Sequence, residues 1–356
     1  MNIYELICEH LKNGKGGILA TVIKRTGSAP RDVGAKMFIG EDGKTFGTVG
    51  GGRLESDTYR EAIKIMNKAL TKVFSMIMNA QKVEEKDMLC GGNVDVLLEP
   101  VTARHLAVYQ QIENCLENRK RGVVVTRFSG NTFAKALIDE NLNVTGDVLD
   151  SKTVTQCKGL FHEKHAMLTD GVLADPIQLS FPLYIFGAGH LARFLSKIAK
   201  IADFHITVID DREEFANSER FPDADTIIVG DFHDAFKCLD FTGNEYVVIL
   251  TRSHEYDAEV LGECLKETAK YIGMIGSRRK VKIILDHMRG KGFGSEVLEK
   301  IHSPVGISIN AETPEEIAIS IVAELVSVRN AKDTLPDKIK EAGYAERVTM
   351  ARNKTL

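Results

Sequence analysis

Two glycine-rich segments carry the spacing from which chemistry can be read first. Gly187-Ala188-Gly189-His190-Leu191-Ala192 follows the apolar run Leu183 to Phe186 and opens a segment whose Leu191, Leu195, Ile198 and Ala202 recur at helical spacing. A strand, a tight G-x-G turn and a helix in that order present free backbone amides and a helix dipole to an anion, which suits a phosphate. Asp210 ends the next strand, 21 residues beyond Gly189. A carboxylate there can accept hydrogen bonds from ribose hydroxyls and disfavours a 2′-phosphate. The plainer alternative is a sharp strand-to-helix turn with Asp210 and Asp211 solvated beyond it. NAD, S-adenosylmethionine or a pterin nucleotide would all fit such a crevice.

Two further loops are expected at the same carboxyl edge of the sheet, since Thr251-Arg252-Ser253-His254 follows Leu250 and Gly276-Ser277-Arg278-Arg279-Lys280 follows Ile275. His254 is a candidate general acid or base, and equally a hydrogen-bonding loop histidine. Arg278 and Arg279 can clamp a phosphate or carboxylate, or face solvent at a helix start. His190 adjoins the turn and has the same two readings, functional and structural.

The second glycine segment is Gly47-Thr48-Val49-Gly50-Gly51-Gly52-Arg53-Leu54-Glu55. Gly50, Gly51 and Gly52 at a helix start can bring backbone amides against an oxyanion, with Arg31 of Gly27-Ser28-Ala29-Pro30-Arg31 approaching the same place. A tight connection whose glycines only solve a steric problem is the alternative. Cys90, in Met88-Leu89-Cys90-Gly91-Gly92, precedes a strand; a reachable thiolate there can bind molybdenum or carry a persulfide, although lone cysteines commonly do neither.

The elements that must position these residues differ between the two halves. Ile3, Leu6, Ile7 and Leu11 predict an opening helix, and Ile18 to Ile23 a strand. Ala35 to Ile39 and Thr45 to Val49 read as strands joined by a turn at Glu41-Asp42-Gly43-Lys44. A helix is predicted from Arg53 to Leu70, then strands near Val73 to Met78, Val94 to Leu98, Val123 to Arg127 and Phe133 to Ile138. This gives a mixed α+β domain over residues 1–178, of topology not derivable from pattern, and no internal repeat is evident. From 179 to 330, strands at 183–186, 206–209, 226–229, 246–250 and 271–275, with 306–309 as a sixth, alternate with amphipathic helices. That alternation predicts a Rossmann-type, doubly wound parallel sheet. Thr313, Pro314 and Glu316 predict a capped final helix, and residues 331–356 form a charged tail.

The totals exclude some functions. With 46 basic and 50 acidic residues and a net charge of -4, no broad basic face exists for nucleic acid. No run of about 18 apolar residues occurs that could span a membrane, and a cytoplasmic protein is expected. The six cysteines include no C-x-x-C pair, which suits reduced thiols and argues against structural zinc. Iron-sulfur spacing is also missing, so xanthine-type oxidation by this chain alone is not expected.

The segments 27–31 and 47–55 together resemble the N-terminal signature of the XdhC/CoxI family. Gly187-Ala188-Gly189-His190, Asp210-Asp211-Arg212, Ser253-His254, Ile275 to Lys280, and Ile301-His302-Ser303-Pro304-Val305-Gly306 through Glu316 resemble its Rossmann domain. The match spans most of residues 15 to 330. The resemblance implies a xanthine dehydrogenase accessory factor, a chaperone that binds the molybdenum cofactor (molybdopterin), helps a cysteine desulfurase replace an oxo ligand by sulfur, and delivers the cofactor to a molybdenum hydroxylase such as xanthine dehydrogenase. It implies that Cys90 holds the molybdenum centre, that Gly50 to Arg53 hold the cofactor phosphate, and that the chain is a homodimer. It does not fix the Rossmann ligand. Competing readings are an NAD-dependent oxidoreductase, with Asp210 as ribose anchor and His254 as catalytic acid, and a purely structural component of a dehydrogenase.

Overall fold

The chain divides into two compact units, residues 1–179 and 180–356. The computed structural model describes residues 2–27, 31–66, 68, 70–78, 92–163 and 165–331. Cys90 and Gly91, and the expected tail from 332 onward, lie outside the described residues.

The first unit is built twice. Helix α1 (Ile3–Lys12) leads into β1 (Gly17–Gly27), β2 (Lys36–Gly40), β3 (Thr45–Gly47), α2 (Gly52–Ile65), β4 (Lys72–Met78) and β5 (Gly92–Val101). The same order follows in α3 (Leu106–Glu117), β6 (Gly122–Ser129), β7 (Thr132–Asp139), β8 (Val144–Gly146), α4 (Ser151–Gln156), β9 (Met167–Thr169) and β10 (Val172–Pro176). The two antiparallel sheets have equivalent strand orders, β3-β2-β1-β5-β4 and β8-β7-β6-β10-β9.

Local details repeat as well. Gly14 and Arg119 both take positive φ just after the first helix of each half. Thr48 N–H donates to the Lys36 carbonyl, and Asp147 N–H to the Lys135 carbonyl, each at 2.9 Å. The expectation of no internal repeat is therefore corrected. The repeat escapes a fixed-period search because the offset falls from 105 residues at Tyr4/Tyr109 to 99 at Lys36/Lys135 and 76 at Glu99/Asp175.

The two halves exchange charges. Lys36 on β2 pairs with Asp175 on β10, and Lys135 on β7 pairs with Glu99 on β5. Lys135 and Glu99 are 4% and 1% exposed, so each supplies the counter-charge without which the other could not stay buried and ionised. Burial alone would lower the pKa of Lys36, but the Asp175 carboxylate outweighs it and holds the ammonium above its ordinary range. The halves also share a core, in which Ile7 and Leu11 of α1 pack among Tyr109 and Ile112 of α3.

The second unit carries β11 (Phe181–Phe186), α5 (His190–Ile201), β12 (Phe204–Asp210), β13 (Thr226–Val229), α6 (Phe232–Ala235), β14 (Tyr246–Ile249), α7 (His254–Cys264), β15 (Tyr271–Met274), α8 (Arg278–Gly290), α9 (Ser295–Leu298) and α10 (Pro314–Asn330). Its sheet, β13-β12-β11-β14-β15, is entirely parallel. Leu195 of α5 and Ile321 of α10 cover one face, and Val260 of α7 and Ile284 of α8 the other. This is the doubly wound arrangement expected from the strand and helix alternation. The capping box of Thr313 and Glu316 is present.

The sixth strand expected at 306–309 does not form. A single parallel bridge joins His302 to Gly273; Gly306 then turns at a φ of +97°, and Ile307 N–H bonds to the Ser320 carbonyl of α10 instead of to a strand. The predicted helix beginning at Arg53 ends at Ile65.

Candidate functional site

In the first unit the glycine run is required by conformation. Gly50, Gly51 and Gly52 have φ of +140°, +73° and +55°, values a side chain seldom tolerates. A Cβ at Gly51 or Gly52 would meet nothing within 4 Å. The backbone is thus bare and open where α2 begins. Glu55 reaches back into the turn, where its Oε2 accepts from Gly51 N–H at 3.0 Å and from Thr48 Oγ1 at 2.5 Å. The turn already orders one oxyanion, its own carboxylate. In sequence Thr48 and Glu55 stand only as flanks of the glycines; their seven-residue spacing is the available sign of that contact.

The loops of this half leave its sheet at one end. β2 starts beside the end of β3, with Met37 opposite Gly47, so the glycine run emerges next to Lys36. β1, β5 and β4 continue past β2, from Thr21 opposite Lys36 to Gly27 opposite Gly92. Gly92 is also the register partner of Met78, so the described flanks of the Cys90 segment meet at the tip of this arm. Asp32 pairs with Arg25 of the arm at 2.6 Å, and the adjacent Arg31 is exposed without an ion pair among the described residues. Arg53 is half-exposed and lies 3.5 Å from Asp57. Six residues of arm, about 20 Å of strand, separate the glycine run from Gly27.

The second half ends differently at the corresponding edge. Gly130-Asn131 and Asp170-Gly171 close its two hairpins, with Ser129 opposite Thr132 and Thr169 opposite Val172. The N-terminus of α4 is capped by Asp150, which accepts from Thr153 N–H at 2.9 Å.

In the Rossmann unit, Gly187 and Gly189 answer different demands. Gly187 has a φ of +105°, and a Cβ there would come 2.4 Å from the Leu250 carbonyl, so the fold itself requires glycine. Gly189 has an ordinary φ of −70° and open space around it. Neither conformation nor packing within the chain calls for glycine at that position.

Asp210 is 1% exposed and already engaged. Its oxygens accept from Ala188 N–H at 2.7 Å and from Arg212 Nε and Nη2 at 2.9 and 3.0 Å. Arg212 also lies 3.8 Å over the Phe215 ring. Asp211 pairs with Arg252 of the loop after β14. Because β11 lies between β12 and β14, this ion pair spans the strand that feeds the Gly187 turn. Hydrogen bonding from Arg252 holds the Asp211 carboxyl down at about 2.

His254, Arg278 and Arg279 are exposed at the starts of α7 and α8, and none of their side chains makes an ion pair or hydrogen bond among the described residues. His254 and Arg279 line one cleft of about 550 Å³ with Arg252, Ser253, Ser277 and Lys280. His190 is exposed, edge-on to Phe194. Lys280, which follows the two arginines in sequence, reaches the fully buried Asp257 at 2.5 Å, and Asp257 also accepts from Thr251 N–H at 3.1 Å. The lone acid on the apolar side of the α7 pattern is the visible sign of that anchor.

Residues 183–325 match the XdhC Rossmann domain family, and residues 10–75 match the XdhC and CoxI family. The chain is 26% identical over 336 residues to a probable xanthine dehydrogenase subunit of Bacillus subtilis (strain 168), covering 92% of this chain and 98% of that protein. It is 25% identical over 335 residues to "Molybdenum cofactor insertion chaperone PaoD" of Escherichia coli (strain K12), covering 92% and 88%. A crystal structure described as a xanthine dehydrogenase from Bacillus halodurans matches with a TM-score of 0.80 at 28% identity, covering 95% of this chain and 98% of that one. No helix among the described residues is long and apolar enough to cross a membrane.

Proposed function

Because the chain belongs to the XdhC and CoxI family, we propose that it binds the molybdenum cofactor as cargo, supports its sulfuration and inserts it into a molybdenum hydroxylase of the xanthine dehydrogenase type. A cysteine desulfurase is the proposed sulfur source. The relative that acts as a molybdenum cofactor insertion chaperone supports this reading.

The structural observation that carries it is the open glycine run at the start of α2. Three left-handed glycines at a helix N-terminus fit a phosphate group, and Arg31 and Arg53 supply positive charge at the same end of the sheet. Cys90 is proposed to hold the molybdenum centre through its thiolate. The chain's own groups would bind and orient the cargo; the sulfur exchange belongs to the cargo and its donor.

A second ligand is favoured by Gly189, whose lack of a side chain serves nothing within the chain. A nucleotide phosphate at the N-terminus of α5, NAD included, would use that space. Asp210 would serve its ribose only by giving up Arg212. An oxidoreductase built on this crevice, with His254 as acid, is the alternative function.

Purified protein incubated with molybdenum cofactor and passed through gel filtration tests the proposal. Near-stoichiometric molybdenum and pterin per chain is the expected result, with NAD assayed alongside. Tight NAD retention without cofactor would transfer the function to the Rossmann crevice.

A further inference from the structure

The starts of α7 and α8 line the cleft of about 550 Å³ that neither the cofactor reading nor the Gly189 crevice uses. Arg252, Ser253, His254, Ser277, Arg279 and Lys280 supply its polar lining. Each of these side chains can donate a hydrogen bond. Arg252, Arg279 and Lys280 carry permanent positive charge, and no carboxylate is in the lining, although the chain as a whole has a net charge of -4. The acids of α7 that lie nearest in sequence, Glu255, Glu259 and Glu263, line the neighbouring groove instead. α5 packs on the opposite face of the sheet from α7 and α8, so the cleft is a different place from the N-terminus of α5.

Two of the cations are held in place by acids outside the lining. Asp257, fully buried on α7, lies 2.5 Å from Lys280 Nζ and accepts from Thr251 N–H and Oγ1 at 3.1 and 2.5 Å. It thereby ties the loop after β14 to the first turn of α8. Arg252 pairs with Asp211 and lies 4.5 Å over the Tyr256 ring. The serines are helix caps with protons to spare. Ser253 Oγ accepts from Tyr256 N–H at 3.2 Å and Ser277 Oγ from Lys280 N–H at 3.3 Å, yet neither hydroxyl donates a hydrogen bond among the described residues. The side chains of Arg279 and His254 are exposed and have no ion pair or hydrogen bond there either. The dipoles of α7 and α8 add a field of the same sign. Beside these donors Ile283 stands 56% exposed and Ile284 continues the apolar part of the lining, a surface that a bare ion would leave uncovered.

We propose that this cleft binds a phosphate monoester, its phosphate held by Arg279, Lys280 and the two serine hydroxyls and its organic group lying against Ile283 and Ile284. A monoester phosphate brings close to two negative charges and three acceptor oxygens, enough to engage donors from both helix starts at once. A carboxylate has half that charge and one oxygen fewer. The proposal does not rest on the cofactor reading, which assigns its phosphate to the glycine run of the first unit.

Nuclear magnetic resonance of the full chain tests it by following the ring signals of His254, assigned through a His254→Gln variant. Inorganic phosphate is expected to shift these signals saturably, and phenyl phosphate to bind about threefold tighter or more, because its ring covers Ile283. Arg279→Glu should weaken both ligands about tenfold or more. Arg278→Glu makes the same change of charge at an exposed neighbour outside the lining and should weaken them less than about threefold. Gly189→Ala should leave the titration as in wild type. Circular dichroism checks that all variants remain folded. Ring signals that do not move, equal losses in the two arginine variants, or phenyl phosphate no tighter than phosphate would overturn the inference. So would a titration lost in Gly189→Ala, which would place the anion at α5.

Discussion

The two halves of the first unit share a strand order, a set of turns and a reciprocal pair of ion bridges, yet they differ at one edge. The first half extends β1, β4 and β5 into an arm and opens its helix with three left-handed glycines. The second closes the same positions with two-residue turns and an aspartate cap. Where one scaffold occurs twice, the elements present in only one copy are those the scaffold does not need. Arg31, the glycine run and the Cys90 segment all belong to the copy with the extra elements, which is a stronger reason to assign them binding than glycine content alone.

The comparison can be broken most forcefully at the shared bridges. Lys135→Met leaves Glu99 buried without a counter-charge, and a loss of about 3 to 5 kcal/mol is expected in urea unfolding. Lys36→Met should cost less, because Asp175 is 13% exposed against 1% for Glu99. Equal losses would contradict the unequal burial of the two bridges. Glu99→Leu combined with Lys135→Met should recover most of the loss.

A smaller effect on stability, but a larger one on binding, is expected at the edge where the halves differ. Gly51→Ala forces a side chain into φ +73°, at about 1 to 2 kcal/mol, and should reduce cofactor retention at least tenfold by equilibrium binding. Asp150→Ala removes the cap of α4 in the other half, and should lower the melting temperature slightly while leaving retention unchanged. If both variants bind alike, the asymmetry has no bearing on the cargo.

Gly189→Ala sharpens the contrast with the Rossmann unit. Its φ is ordinary and its surroundings are open, so stability should change by less than about 1 kcal/mol, while nucleotide retention falls. Gly187→Ala should instead destabilise the fold, since its Cβ would strike the Leu250 carbonyl.

The smallest effect is electrostatic. Asp211 has its carboxyl depressed to about 2 by Arg252, so the stability it contributes is present above the ordinary aspartate value of about 3.9 and is lost as pH falls through about 2. The melting-temperature difference between wild type and Arg252→Gln should therefore shrink as pH is lowered across that window. A difference that grows toward low pH would contradict the pairing.

Much of the second unit was legible in the sequence because parallel strands buried on both faces appear as continuous apolar runs, and because Thr313 and Glu316 announce a helix start by local chemistry. The duplication was not legible, since unequal loop lengths shift its offset from element to element. The bridges were hidden for a related reason: Lys36 and Asp175 lie 139 residues apart, and no local rule pairs them. At Asp210 the residue type and strand position were readable, but the engagement of its carboxylate by Ala188 and Arg212 depends on how the turn folds back on β12. The glycine run was readable as an anion site, whereas the return of Glu55 into it required the turn geometry.

The most direct test of the central claim replaces Gly50-Gly51-Gly52 of the first half by Leu-Asp-Ser, the residues at the equivalent positions 149–151 where α4 begins in the second, and measures retained molybdenum and pterin per chain after gel filtration. Our account predicts a folded protein, verified by circular dichroism, that has lost the cofactor retained by wild type. A folded graft that holds the cofactor at wild-type stoichiometry would contradict the assignment of cargo binding to the glycine run.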